Sequence, residues 1–244
     1  MSDTIEGRNA VLEALRSGLK LRKVFIACGV KGASALDEIE RLARASVIRV
    51  EHVERAELDR KSERGAHQGV MAEMAAFEYA ELPNVLKRTE DSKASLIVVL
   101  DHVTDPGNLG AIIRSVEVAG GDAVVVPKDR SATVTAVVHK TSAGATSHLS
   151  VVRITNIART LAELKQHGYW VIGASEKASI FAWDAPLEGR VVLVMGAEGS
   201  GISKLVLAEC DVLASLPVAG HVDSLNVAQA ATVFAFEWAR RTAK

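Results

Sequence analysis

Two spacings of apolar residues alternate along this chain. One is the three-and-four spacing of a helix with a single buried face. The other is the short unbroken run of a strand covered on both sides. In the first part of the chain the pattern predicts a helix over 7–17, a strand over 23–27, a helix over 33–45, and strands over 47–50 and 69–75. Between 77 and 93 it dissolves. Aliphatic residues become few, Pro83 interrupts, and Lys87-Arg88-Thr-Glu-Asp-Ser-Lys93 is charged, so this stretch is expected to be a linker with at most one helical turn.

The pattern resumes abruptly at Leu96-Ile-Val-Val-Leu100, a run apolar on both faces. A helix over 109–119 follows and ends at Gly120-Gly121, where glycine tolerates the left-handed geometry of a helix cap. Then come a strand over 123–126, a helical stretch over 134–142, and a helix over 156–167 closed by Gly168. Strands are expected over 169–174, 191–195 and 212–216, and a last helix over 227–241. Strands alternating with helices of this length predict an α/β fold with a mostly parallel sheet covered on both faces. The expected organisation is a small α/β domain over 1–76, the linker 77–93, and a larger domain over 94–244.

Composition narrows the chemistry. A hydrophobic fraction of 48% over 244 residues is ample for a packed core, while the longest aliphatic run is far too short to span a bilayer. The N-terminus has no basic segment followed by an apolar one, so no signal peptide is expected. The two cysteines, Cys28 and Cys210, stand alone and suit a reducing, cytoplasmic setting. No histidine or cysteine spacing suggests a metal site. A net charge of −1 excludes a strongly basic polyanion binder but leaves room for a local basic face. With aromatics at 4%, extensive stacking of bases on aromatic rings is not expected.

In parallel sheets ligands bind beyond the carboxyl ends of strands, and three glycine-bearing loops occupy such places. They are Asp101-His-Val-Thr-Asp-Pro-Gly-Asn-Leu-Gly110, which leads into a helix carrying Arg114, then Gly196-Ala-Glu-Gly-Ser-Gly201, then Leu216-Pro-Val-Ala-Gly-His-Val-Asp-Ser-Leu-Asn226. The second loop is neither of the common phosphate motifs. Its glycines are spaced G-x-x-G-x-G rather than G-x-G-x-x-G, and Ile202-Ser203 stand where a P-loop needs Lys-Ser.

Asn108-Leu-Gly110 with Arg114 resembles the first motif of the SpoU (TrmH) family of RNA 2′-O-methyltransferases. Met195-Gly-Ala-Glu-Gly-Ser-Gly201 resembles its second motif, and Ser224-Leu-Asn226 with the following helix its third. Order and spacing both match. Ile5-Glu-Gly-Arg-Asn-Ala-Val-Leu-Glu-Ala-Leu15 and Gly65-Ala-His-Gln-Gly-Val70 resemble the substrate-binding domain of the bacterial branch that methylates a guanosine of 23S ribosomal RNA, a domain similar to ribosomal protein L30e. The resemblance implies S-adenosylmethionine as methyl donor, no metal, RNA as partner, a homodimer with its active site near the interface, and a deep trefoil knot near the C-terminus. Three other readings remain open: a transfer RNA ribose methyltransferase of the same family, a resistance-type relative acting at another ribosomal RNA position, and a catalytically silent RNA-binding protein with this fold.

Methyl transfer to a ribose needs in-line alignment and help in removing the 2′-hydroxyl proton. By position in the first motif, the resemblance assigns that help to Arg114. A guanidinium is normally a permanent cation. Arg114 would therefore either lose a proton transiently, aided by a substrate phosphate, or stay charged and stabilise the developing oxyanion. Asn108 would orient the centre or cap a helix, and Glu198 would hold Arg114 or substrate, or sit at a helix N-terminus. Ser224 and Asn226 would act in the site or cap the last helix, and both roles can coexist. The donor cradle would be built by Gly196, Leu216 and Leu225, flanked by Met195 and Ala197, with Gly220 shaping the backbone. Arg8, Arg16, Arg22 and Lys23, and the loop Pro127-Lys-Asp-Arg-Ser131, are candidate phosphate contacts; each N-terminal cation taken singly is better read as an ordinary solvated surface residue, and the loop is the stronger candidate. Among His139, His148 and His221, only His221 is kept as a candidate for acid–base chemistry.

Overall fold

The structure is a computed structural model that describes residues 4–30, 33–62, 65–221 and 224–242. It divides the chain into two units, Met1–Phe77 and Glu78–Lys244. The first unit runs β1 (Thr4–Glu6), α1 (Arg8–Arg16), β2 (Leu21–Ala27), α2 (Ala33–Ala45), β3 (Arg49–Val53), α3 (Arg55–Lys61) and β4 (Val70–Met74). Its sheet has the order β1-β4-β2-β3, with β2 and β3 parallel and the other pairs antiparallel. Phe25, Ala27, Leu58 and Met71 form a buried cluster there. Strand β3 starts two residues later than the apolar pattern predicts. Val47 takes a left-handed turn (φ 57°), with its N–H on Arg44 O and that of Ile48 on Ala43 O, so the chain is still closing α2 at that point.

The second unit continues with α4 (Leu82–Arg88), β5 (Ser95–Asp101), α5 (Pro106–Val118), β6 (Ala123–Pro127), α6 (Ala136–Thr141), β7 (Ser150–Ile154) and α7 (Ile157–Gln166). It ends with β8 (Trp170–Ala174), β9 (Ile180–Phe181), β10 (Arg190–Gly196), α8 (Lys204–Leu207), β11 (Val212–Ser215) and α9 (Val227–Thr242). All the pairings in its seven-stranded sheet, ordered β7-β6-β5-β10-β8-β11-β9, are parallel.

The segment 77–93 is not a free linker. Leu82, Val85 and Leu86, at helical spacing on α4, pack with Ile97, Val99, Leu161 and Tyr169 in the core of the second unit. Pro83 falls in the first turn of α4, where its missing N–H costs no hydrogen bond. Apolar side chains alternate between the two faces of each buried strand. Ile97 and Val99 meet α4 and α7, and Leu96, Val98 and Leu100 turn to the opposite face. Helices α5 and α9 pack against each other, joined by a Ser115 Oγ–Thr232 Oγ1 hydrogen bond of 2.6 Å. Among the described residues, no helix is long and apolar enough to cross a membrane.

Candidate active site

Because the large sheet is parallel, the segments after β5, β10 and β11 leave from one edge, as do those after β6 and β8. The first two glycine-bearing loops therefore start side by side, and the third starts beyond the intervening β8. The loop after β10 doubles back at once: Ala197 N–H bonds Gly201 O at 3.2 Å and Gly201 N–H bonds Ala197 O at 2.9 Å. A Cβ on Gly196 would lie 2.2 Å from Gly201 C and 2.3 Å from Ile202 N, so only glycine admits this closure. Both backbone groups of Ala197 are thereby used to shape the loop. The Met195 side chain is buried in the sheet, which leaves only its backbone for a ligand.

Asp101, fully buried at the end of β5, holds the same loop from below. Its Oδ2 accepts from Ser203 N at 2.7 Å and its Oδ1 meets His102 Nδ1 at 2.5 Å. Sequence reasoning passed over this carboxylate. The signal was an acidic residue directly after an apolar strand run, at the edge where ligands bind.

Helix α5 begins three residues earlier than its apolar pattern, because Asp105 caps it and Pro106 opens it. Asp105 Oδ2 accepts from Asn108 N at 2.7 Å. The cap is thus Asp105, and the Asn108 side chain is left for other work. Gly110 serves packing: a Cβ there would lie 1.8 Å from Thr141 Oγ1 and 2.8 Å from Val138 O, so α5 and α6 touch closely.

Asn226 starts α9 by accepting from Ala228 N at 2.9 Å and Gln229 N at 3.4 Å through Oδ1. Its Nδ2 donates to Asn108 Oδ1 at 2.9 Å and to Glu198 Oε1 at 2.7 Å. Asn108 Nδ2 reaches the same Glu198 oxygen at 3.3 Å, and Val227 N reaches it at 3.4 Å. Three residues separated by 90 and 28 positions, one from each loop, thus share one hydrogen-bonded cluster at the starts of α5 and α9. The carboxylate of Glu198 also faces the positive end of α9.

The other sequence-predicted residues lie outside this cluster. Arg114 is exposed on α5 and has no hydrogen bond or ion pair among the described residues. Six residues beyond Asn108, it is turned about 240° around the helix and lies about 9 Å further along it. Ser224 is exposed and makes no side-chain hydrogen bond among the described residues. Leu225, next in sequence to Asn226, is 49% exposed and Val218 52%, while Leu216 is half-buried, so the third loop offers aliphatic surface. The loop 127–131 is tied to the loop after β5 by Ala132 N to Val103 O at 2.9 Å, and it leaves Lys128 and Arg130 exposed. His221 is exposed. His139 is bonded to Thr146 Oγ1 at 2.8 Å, and burial holds its pKa below the usual value, so it is structural.

The sequence profile of the SpoU rRNA Methylase family matches residues 95–236, and that of an RNA 2′-O ribose methyltransferase substrate-binding domain matches residues 4–80. This chain belongs to the SpoU family. Its second unit is therefore a SpoU methylase domain and its first a substrate-binding domain of RNA ribose methyltransferases. It is 40% identical over 240 residues to a protein of Bacillus subtilis (strain 168) assigned to the TrmH family of tRNA/rRNA methyltransferases, covering 98% of this chain and 96% of that one. A relative so assigned from Staphylococcus haemolyticus is 38% identical over 97% of this chain and 95% of its own length. Among solved structures, a TrmH-family protein of Porphyromonas gingivalis superposes with a TM-score of 0.68 at 28% identity, covering 99% of this chain and 90% of that one. The methyltransferase AviRb of Streptomyces viridochromogenes, crystallised with AdoMet, shares the fold with a TM-score of 0.70 at 23% identity over 97% of this chain and 89% of that one. The cluster of Asn108, Glu198 and Asn226 joins one residue from each of the three SpoU-like motifs.

Proposed function

We propose that this SpoU protein transfers a methyl group from S-adenosylmethionine to the ribose 2′-hydroxyl of a guanosine in 23S ribosomal RNA, working as a homodimer. The observation that carries the reading is the cluster joining Asn108, Glu198 and Asn226 at the carboxyl edge of the sheet. The likeness of 5–15 and 65–70 to the 23S branch favours that target over transfer RNA.

The residues at this edge fit the donor. An adenosine needs apolar cover and main-chain groups to read its polar edge. Val218 and Leu225 expose aliphatic side chains on a segment outside helix and strand. The backbones of Gly196, Leu216 and Leu225 would hold the adenosine, and Gly220, with open space where a Cβ would stand, would let the third loop close on it. The donor supplies a methyl on a positively charged sulfur, already bound to a good leaving group. What remains for the protein is alignment and proton handling. Asn226 and Glu198 fix the Asn108 carboxamide, which orients the ribose. Arg114 faces the attacking hydroxyl, where a guanidinium lowers the cost of alkoxide character. Ser224, exposed beside Leu225, is a further hydroxyl for the substrate.

The helix phase of Arg114 turns it from its own chain's cluster, and a site completed by a second copy accommodates this. Exposed Val118 on α5, with Val233 and Phe236 one turn apart on α9, gives these packed helices an apolar face for that copy. The trefoil knot belongs to the same reading. The strand order β10-β8-β11 carries the chain back past β8 before α9 returns to α5, and this supports such a threading.

The test is to map 2′-O-methylated positions in ribosomal and transfer RNA with and without the gene. Loss of one methylguanosine from 23S RNA upholds the reading. Loss from a transfer RNA moves the target, and an unchanged map in both RNAs contradicts it.

A further inference from the structure

The first unit contains a cavity of about 550 Å³ whose walls include none of the residues assigned above to methyl transfer. It is lined by Arg8, Cys28, Gly29, Val30, Arg55 and Gln68. Of the four N-terminal cations singled out by sequence, one lines the cavity. Arg16 pairs with Glu38 at 2.8 Å, Lys23 with Glu51 at 3.0 Å, and Arg22 with Glu73. Only Arg8 faces the cavity, where its Nε–H donates to Gln68 O at 3.1 Å. Arg55, at the start of α3, is exposed and has no hydrogen bond or ion pair among the described residues.

The wall carrying Gln68 is built with care. His67 is buried; its Nδ1 accepts from Gly69 N at 3.0 Å and its Nε2 meets Asp59 Oδ1 at 2.8 Å. Gly69 has no room for a side chain, since a Cβ would lie 2.6 Å from Val30 Cγ2. Between these two fixed residues Gln68 is held at φ 50°, a left-handed conformation that glycine or asparagine adopts more readily. Such strain persists where the surroundings impose it, and it gathers at ligand sites. The turn alone gives no reason for glutamine, whose carboxamide both donates and accepts.

We propose that this cavity receives one unstacked nucleotide of the RNA substrate, its phosphate held by Arg8 and Arg55 and the edge of its base met by Gln68. The volume lies within the range of small-molecule pockets and exceeds what a bare phosphate needs. Sequence-specific RNA contacts target splayed-out bases and hydrogen-bond their edges, a contact for which the Gln68 carboxamide offers both donor and acceptor. The proposal rests on the RNA-methyltransferase reading and adds to it a recognition point in the substrate-binding domain.

A native reporter sits in the wall. Cys28 is an exposed free thiol, whereas burial pushes the half-buried Cys210 thiol up to about 11, which makes it slow to react. The experiment measures iodoacetamide labelling of Cys28 in the full chain, with Cys210 as internal reference, alone and saturated with deproteinised 23S RNA or bulk transfer RNA. RNA that is bound and methylated should slow Cys28 labelling about tenfold. Arg55→Ala should weaken RNA binding roughly tenfold and lower its salt-dependence slope by about 1, with the melting temperature unchanged. Gln68→Gly relieves the backbone strain, so it should melt no lower than the parent yet bind RNA more weakly. If RNA is bound and methylated while Cys28 reacts at the free rate and both variants bind like the parent, the cavity is not the nucleotide site and the enzymatic reading stands. If neither RNA is bound or methylated, the enzymatic reading falls and this proposal falls with it.

Discussion

Asn226 donates to Asn108 at 2.9 Å across 118 positions of chain, and so ties the start of the last helix to the start of the helix after β5. The same side chain caps its own helix through Oδ1. One carboxamide therefore does two separable jobs, stabilising α9 and fixing the site.

Substitution should separate them. Asn226→Ser keeps a capping oxygen but removes the Nδ2 donor, so it should melt close to the parent while methylation falls. Asn226→Ala should lose the cap as well and cost about 1 kcal/mol in urea unfolding. Asn226→Asp retains the cap and sets a carboxylate beside Glu198, so its activity should fall at least as far as that of Asn226→Ser.

Arg114→Lys keeps the charge but not the planar fork. The loss of transition-state stabilisation should lower kcat by about 10²-fold or more. Calorimetric binding of S-adenosylmethionine should stay within about twofold of the parent, because the proposed donor cradle uses residues of the other two loops. Near-normal turnover in this variant would remove Arg114 from the mechanism.

The motifs were readable because their chemistry is local. A turn such as Gly196–Gly201 needs particular residues whatever surrounds it, and so does a capped helix start such as Asp105–Asn108. The buried strands were readable because runs such as 96–100 leave no exposed face. Helix α4 was obscured by Pro83 and the charges after it, although Leu82, Val85 and Leu86 already carried helical spacing. Strand β7 escaped because Val151 and Val152 are both buried and Arg153 breaks the run, so neither alternation nor a long apolar stretch marks it. The role of Gly110 became legible only with its neighbour: a glycine inside a helix is unexplained until Thr141 is seen against it. The Arg8–Arg55 cavity is likewise tertiary: Arg8 and Gln68 lie in the two stretches that resemble the substrate-binding domain, but nothing in the sequence brings Cys28 and Arg55 to them.

Asp101 uses both oxygens, one for Ser203 N and one for His102. A methyl in its place accepts from neither, so Asp101→Ala should destabilise the second unit by about 1–3 kcal/mol. Donor affinity should fall with it, because the Gly196 loop loses its anchor. Urea titration together with donor calorimetry checks both effects.

At the far end of α9, Glu237 accepts from Arg240 at 2.8 Å and from Arg241 at 2.7 Å, and Arg241 also reaches the carbonyls of Ala185, at 2.9 Å, and Trp183. The Arg240 hydrogen bond, reinforced by that of Arg241 against the cost of partial burial, brings the Glu237 pKa down to about 2. A carboxyl whose folded pKa is depressed stabilises the fold above its unfolded value, near 4.5, and loses that contribution as pH falls toward 2. Glu237→Gln should therefore flatten the fall in unfolding free energy between those two pH values, which an acid titration followed by circular dichroism would measure.

The most direct measurement is nucleoside analysis by mass spectrometry of deproteinised 23S RNA after incubation with the purified protein and isotopically labelled S-adenosylmethionine, with Arg114→Lys run in parallel. Labelled 2′-O-methylguanosine is expected with the parent protein and almost none with the variant. Label on a base, or equal ribose labelling by both proteins, would contradict the proposed mechanism.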